Sequence, residues 1–310
     1  MKKKVSLSFV LLMSICLMAC GKGNDLRIYE YSGMNDDNLY FDYSGETYRY
    51  ESMVRTNESV AEETREFRFM GEVYELTYAE TDAKEFLPYA EDYYYAGDIE
   101  FAFVENTEEI AGICCYAGDA IDIRKNEEVK LEKEKDYKQI ADSVVKEYIN
   151  IGKYTSECST RVTLFEEKDG VADCSYKNYD YFYAGNGDES EIRYTFTYIR
   201  EFKGYETCET VFVTLNEAGQ LCNLQLNAVG MFDNKKEAVA KRTDIDKKVK
   251  QKLKEICREE YLVGDVKCDT ILCVNQEGDF FYVSLVDSMV ESTESGVETE
   301  TKCVFLLADE

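Results

Sequence analysis

The 310-residue chain contains no histidine and no tryptophan. Without an imidazole, a Ser-His-Asp or Cys-His nucleophile, an HExxH zinc site, a haem histidine and every histidine-based proton transfer are ruled out. Catalysis would have to run on carboxylate, lysine, tyrosine or cysteine groups. The missing indole also weakens any sugar-stacking role. Basic residues are few: 36 Lys plus Arg against 63 Asp plus Glu give a formal charge of −27. A phosphate backbone repels such a chain, so nucleic acid is not an expected partner. No P-loop, GxSxG or GxGxxG occurs, and no cofactor is expected.

The N-terminus has a different character. Lys2, Lys3 and Lys4 precede an uncharged stretch from Val5 to Ala19. These are the charged and apolar regions of an export signal, shorter than the ~20 residues of a membrane-spanning helix. The stretch ends Leu17-Met18-Ala19-Cys20-Gly21, which resembles the lipobox of bacterial lipoprotein signal peptides. That resemblance implies cleavage before Cys20, a diacylglycerol on its sulfur, and an extracytoplasmic protein lipid-anchored to the bacterial membrane. Two acyl chains make a stable anchor. No other apolar run reaches 18 residues, so the remainder is not expected to span a membrane. Cleavage would leave 33 basic and 63 acidic residues, a charge of about −30.

Residues 1–19 are thus a signal peptide and 20–25 a polar, glycine-rich tether. Beyond them the pattern is α+β, predominantly antiparallel sheet. Residues 26–130 are expected to form a β-rich N-terminal domain. Leu39, Phe41 and Tyr43 alternate with mostly polar neighbours, as do Phe67 with Phe69, Tyr74 with Leu76 and Tyr78, and Ile99 with Phe101 and Phe103. In 131–240 a helix comes first. Tyr137, Ile140, Ala141, Val144, Val145 and Tyr148 form one apolar stripe, closed by Asn150 and Gly152. Strands are expected near 158–166, 171–176, 192–201, 208–215 and 221–229.

In 241–310 a second helix carries Ile245, Val249, Leu253, Ile256 and Cys257, with Thr243 and Asp246 placed as a variant capping box. Strands near 268–274, 279–286 and 297–307 follow it. Glycines at 170, 219 and 278 mark three hairpin turns. Asp92-Tyr-Tyr-Tyr-Ala-Gly echoes Asp180-Tyr-Phe-Tyr-Ala-Gly, each leading to an alternating strand, and suggests a structural repeat. A helix followed by an antiparallel meander, repeated, resembles the PepSY-like and cystatin-like modules of exported bacterial proteins. The resemblance covers 131–310, rests on element order, and implies a curved sheet wrapped on a helix with a binding or inhibitory role.

Ten cysteines remain after residue 20. An even number in an exported protein fits a disulfide framework. The lack of any CxxC, and positions mostly on apolar faces, favour buried free thiols, with a metal site the weakest reading. If Asn216 pairs with Gln220 across a bulge, Cys208 and Cys222 share a face with Phe212, Leu224 and Leu226. Carboxylates are too numerous to single out a catalytic pair. Asn186–Glu191 reads as a polar turn rather than a calcium loop, because no D-x-[DN]-x-[DN]-G pattern occurs. Ser143-x-x-Lys146 lacks the companion motifs of penicillin-interacting enzymes.

Two surfaces remain. The tyrosine runs offer Tyr93, Tyr95, Tyr181 and Tyr183 as binding side chains, because alternate residues of an aromatic strand must face outward. Residues 235–258 hold ten basic and four acidic groups, and Lys247, Lys250 and Lys254 on the second helix could dock an acidic partner. The reading is therefore a non-catalytic lipoprotein that binds or inhibits an envelope protein or peptide. A carboxylate- or cation-dependent hydrolase is the alternative, and it would need two convergent carboxylates about 5–10 Å apart in a cleft. The Cys20→Ala variant is expected to leave the membrane fraction; its retention there would contradict lipid anchoring.

Overall fold

A computed structural model describes residues 26–29, 62–83, 87–116, 118–124, 130–168, 171–187, 189–236, 239, 241–256, 262–274, 278–291 and 298–308. The lipobox, Cys20 and the strand expected around Leu39–Tyr43 lie outside them. In chain order the elements are β1 (Leu26–Tyr29), β2 (Thr64–Phe69), β3 (Glu72–Ala83), β4 (Ala90–Ala96), β5 (Ile99–Val104), β6 (Ile110–Cys115) and helix α1 (Glu134–Val145). After it come β7 (Tyr154–Lys168), β8 (Val171–Tyr179), β9 (Glu191–Phe202), β10 (Tyr205–Asn216) and β11 (Leu221–Asn227). Helix α2 (Arg242–Ile256), β12 (Leu262–Val274), β13 (Phe280–Glu291) and β14 (Glu298–Ala308) complete the order. The described structure is broadly α+β, dominantly antiparallel β, with two helices and an open sheet.

The chain divides into two compact units, Glu51–Lys236 and Met1–Tyr50 with Glu237–Glu310. Residue 130, expected as a boundary, falls inside the larger unit. There the sheet order is β2-β3-β4-β5-β6-β11-β10-β9-β7-β8. Strands β2 to β6 form one meander and β7 to β11 another. They join where Gly112, Ile113 and Cys114 of β6 pair with Gln225, Leu224 and Asn223 of β11. An isolated bridge, Ile121 to Leu221, lies beside this joint.

Register aligns one row of core side chains across the joint: Tyr94, Phe101, Ile113, Leu224, Val213 and Phe196. All six are buried in a single cluster that also takes Tyr137, Ala141, Val144 and Val145 of α1. Strict alternation in β9 puts Ile192, Tyr194, Phe196 and Tyr198 on this side and Arg193, Thr195 and Thr197 on the other. Burial of apolar area of this kind, at roughly 25 cal/mol per Å², is what holds a helix on a sheet.

Helix α1 begins three residues before its first stripe residue. The Asp136 carboxylate accepts from the backbone N–H groups of Lys133 (3.0 Å) and Glu132 (3.2 Å), and acids in the first turn complement the helix dipole. The helix is also tied down by polar contacts. Tyr198 donates to Asp142 (2.6 Å), which pairs with Lys138 (2.7 Å), and Tyr137 donates to the Glu217 carbonyl (3.0 Å). Beyond the helix, the Asn150 side chain accepts from the Gly152 N–H and caps a short 3-10 turn, Ile151–Lys153. Ser143 donates to the Ile140 carbonyl, an ordinary back-bond within the helix. At the β10–β11 turn, Gly219 has φ +72°, and a Cβ there would meet Leu131 and Ile140 side chains at 2.6 and 2.8 Å. Glycine is needed at 219 both for its dihedral and for the close approach.

Several sequence expectations are corrected. Pairing slips between Thr214, opposite Asn223, and Leu215, opposite Leu221, so Cys222 occupies a bulge. That extra residue places Val211, Val213 and Leu215 on the core side with Leu224 and Leu226, and turns Phe212 to the opposite face. The tyrosine echo is not a repeated element: Asp92–Ala96 belongs to β4, whereas 180–185 lies between β8 and β9 outside any strand. Strand β4 is held by β3 and β5 on both sides, a pairing that 180–185 lacks. Among the described residues eight cysteines are free thiols, and Cys174 is exposed.

The smaller unit has sheet order β1-β14-β13-β12, all antiparallel. Helix α2 packs on β12 and β1 through buried Ile245 and Val249. It starts at Arg242, where the Lys241 carbonyl accepts from Asp244 and Ile245, so Thr243 sits in the first turn rather than capping it. The side chains of Leu253 and Lys254 lie outside the described residues.

Val144 is fully buried and Lys250 is exposed. Val144→Asp is therefore expected to lose several kcal/mol of a typical ~5–15 kcal/mol stability, while Lys250→Glu leaves the melting transition within about 0.5 kcal/mol. A Val144→Asp protein that melts like wild type would contradict the helix docking.

Candidate functional site: the tyrosine-lined sheet face

Alternation that sends Tyr94 into the core sends Tyr93 and Tyr95 to the other face of the larger sheet. Among the described residues of this unit, no helix packs on that face. The same register aligns Tyr95, Glu100, Cys114, Asn223, Thr214 and Thr195 in a row across six strands. A parallel row runs Tyr93, Ala102, Gly112, Gln225, Phe212 and Thr197. Its two smallest members, Ala102 and Gly112, sit between Tyr93 and Gln225, and both are buried. A Cβ on Gly112 would lie 3.2 Å from the Leu224 carbonyl and 3.8 Å from the Ala102 side chain.

At one end of the first row two phenols converge on one carboxylate oxygen. Tyr95 donates to Glu100 Oε2 at 2.7 Å and Tyr116, two residues beyond Cys114, donates to the same atom at 3.1 Å. Their rings are 37% and 46% exposed, which leaves both available to a ligand. In the neighbouring row, Tyr93 donates to Glu91 Oε2 at 2.9 Å. Farther along the face Thr195 and Thr214 share a hydrogen bond (2.9 Å), and Arg193 pairs with Glu191 (2.7 Å).

These phenols are held neutral. The Glu100 hydrogen bond pushes the Tyr95 hydroxyl up to about 12. Burial, with the neighbouring Cys114 and Glu100, raises Tyr116 well above its ordinary value, and burial with Glu91 does the same for Tyr93. Burial raises the Cys222 thiol, with Arg193 opposing it, and raises Cys115 to about 12. The face therefore presents phenols, amides and aromatic rings, while the buried Cys115 thiol on the core side stays protonated at neutral pH.

Other buried acids have structural duties. Asp92 accepts from Thr81 (2.6 Å) and from the Asn106 N–H (2.8 Å). Glu209 accepts from the Gly230 N–H (2.9 Å), the Phe232 N–H (3.4 Å) and the Tyr154 hydroxyl, fixing the turn after β11. Glu189 is similarly absorbed by the Asn186 and Gly187 N–H groups and the Tyr183 hydroxyl, which makes its segment a self-satisfied turn.

The sequence-derived candidates are thus dispersed. Tyr93 and Tyr95 share the face just described. Tyr183 stacks on Tyr179 (4.6 Å, 4°) at the helix side of the sheet, beside the Phe182–Tyr194 pair, and Tyr181 is exposed there. Lys247 and Lys250 are exposed on α2 of the smaller unit. Glu100 and Tyr116 were not legible as site residues: one acid among 63 and one tyrosine among 25 carry no spacing signal until register pairs them.

No family model matches the chain, and no curated protein does. A solved structure of an uncharacterized protein from Eubacterium rectale is similar over 78% of this chain and 72% of that chain, at 11% identity and a TM-score of 0.33. That degree of likeness carries no functional argument. Among the described residues no helix is long and apolar enough to cross a membrane.

The raised groups give a pH expectation. A phenol or thiol with a raised folded-state pKa holds its proton more tightly when folded. Its contribution is intact below the ordinary values of 9.0 for Cys and 10.0 for Tyr and is lost as pH climbs toward about 12. The melting temperature should fall steadily between pH 9 and pH 11, and a flat profile there would contradict the burial of these groups.

Proposed function

We propose that the chain is a lipid-anchored extracytoplasmic protein whose larger unit binds an envelope protein or peptide through the Tyr95–Glu100–Tyr116 face, without catalysis. The observation that carries the binding reading is the pair of exposed rings converging on one carboxylate. Rings of this kind supply large contact area at small conformational cost, which is why tyrosine is favoured in binding surfaces. The signal-like N-terminus and Cys20 support the location. The order of helix then antiparallel strands, found after both α1 and α2, supports the likeness to PepSY-like modules and their binding role.

Capture of partners from intact cells tests this reading. The Tyr95→Ala/Tyr116→Ala double variant should lose at least about tenfold in captured partner, the scale of a hot-spot truncation of ~1.4 kcal/mol or more. Its melting temperature should stay near that of wild type, because both rings are exposed. Undiminished capture by the folded double variant would contradict this face as the binding surface.

A further inference from the structure

Glu100 is a half-buried carboxylate whose partners are two neutral phenols, and both reach the same oxygen. Among the described residues no Lys or Arg forms an ion pair with it, and no donor reaches Oε1. A partly desolvated anion is stabilised by an opposite charge, and the two flanking tyrosines are partly exposed aromatic residues, a class whose rings attract cations. Glu80, whose charge acts on Tyr95, adds to the negative potential, as does the chain's net charge of −27. Anionic ligands are excluded by the same field.

We infer that the Tyr95–Glu100–Tyr116 clasp takes the ammonium or guanidinium group of a Lys or Arg side chain carried by a peptide. The cation would sit against the open carboxylate oxygen with the rings on either side. A peptide fits better than a free amine because the row continues from Glu100 through Cys114 to Asn223 and Thr214. The half-buried Asn223 side chain brings an amide to that row for an extended backbone, while the Thr214 hydroxyl is already shared with Thr195. This inference rests on the binding reading above and specifies its ligand.

Two capped peptides, Ala-Gly-Lys-Gly-Ala and Ala-Gly-Gln-Gly-Ala, titrated into the isotope-labelled mature chain and followed by NMR, separate the possibilities. The lysine peptide should shift the resonances of Tyr95, Glu100 and Tyr116 and should weaken with added salt, while the glutamine peptide binds at least about tenfold more weakly. Glu100→Gln, which keeps the acceptor and removes the charge, should abolish the difference. Tyr95→Leu, at an exposed ring, provides a second variant that leaves the fold intact. Equal binding of the two peptides, lost in Tyr95→Leu, would overturn the cation assignment and leave the binding face standing. Lysine-peptide binding that persists in both variants would overturn both readings, and the absence of any lysine-peptide binding would overturn the cation assignment.

Discussion

Pairing of β6 with β11 is the constraint on which the larger unit depends. Only three residue pairs make the joint, yet they set Ile113 against Leu224 on one side and Cys114 against Asn223 on the other. Because side chains alternate with a period of two, fixing these pairs fixes both faces at once. The first side becomes a continuous core from Tyr94 to Phe196 with α1 on its β9 and β10 end, and the second becomes the face that carries Tyr95, Glu100 and Asn223. A slip of one residue would bury Glu100 and Asn223 and expose Phe101 and Leu224.

The devices around the joint serve that register. The bulge at Cys222 realigns β10 with β11, so that Leu221 and Leu224 both reach the core although they are three residues apart. Gly219 lets the β10–β11 turn close onto Ile140 of α1, and Gly112 lets β11 approach without a side chain in between. Tyr198, Asp142 and Lys138 then pin the helix to β9 with charge-assisted hydrogen bonds.

Much of this was legible in the sequence. The alternation from Ile192 to Tyr198 and the stripe from Tyr137 to Tyr148 announce their elements directly, although α1 ends at Val145 before the last stripe residue, and α2 covers Ile245 to Ile256 of the second stripe. What escaped is set by non-local pairing. The side of Phe212 depends on a bulge that no composition signals. The return of β11 to β6 joins residues about a hundred positions apart, so a boundary near 130 was a natural but local reading. Tyr93 and Tyr95 were recognisable because an aromatic run must face two ways. Their partner Glu100 was hidden among many acids, and Tyr181 and Tyr183 look equivalent in sequence only because an echo of letters does not specify a neighbour strand.

The most direct test is whether β6 and β11 are neighbours in solution. Interstrand NMR contacts between the backbone protons of Cys114 and Asn223, and of Gly112 and Gln225, report it without any substitution. The account predicts both sets, with slow amide exchange shared by the two strands. Absence of these contacts, with β6 and β11 exchanging independently, would contradict a single sheet and dissolve the face that brings Tyr95, Glu100 and Tyr116 into line with Asn223.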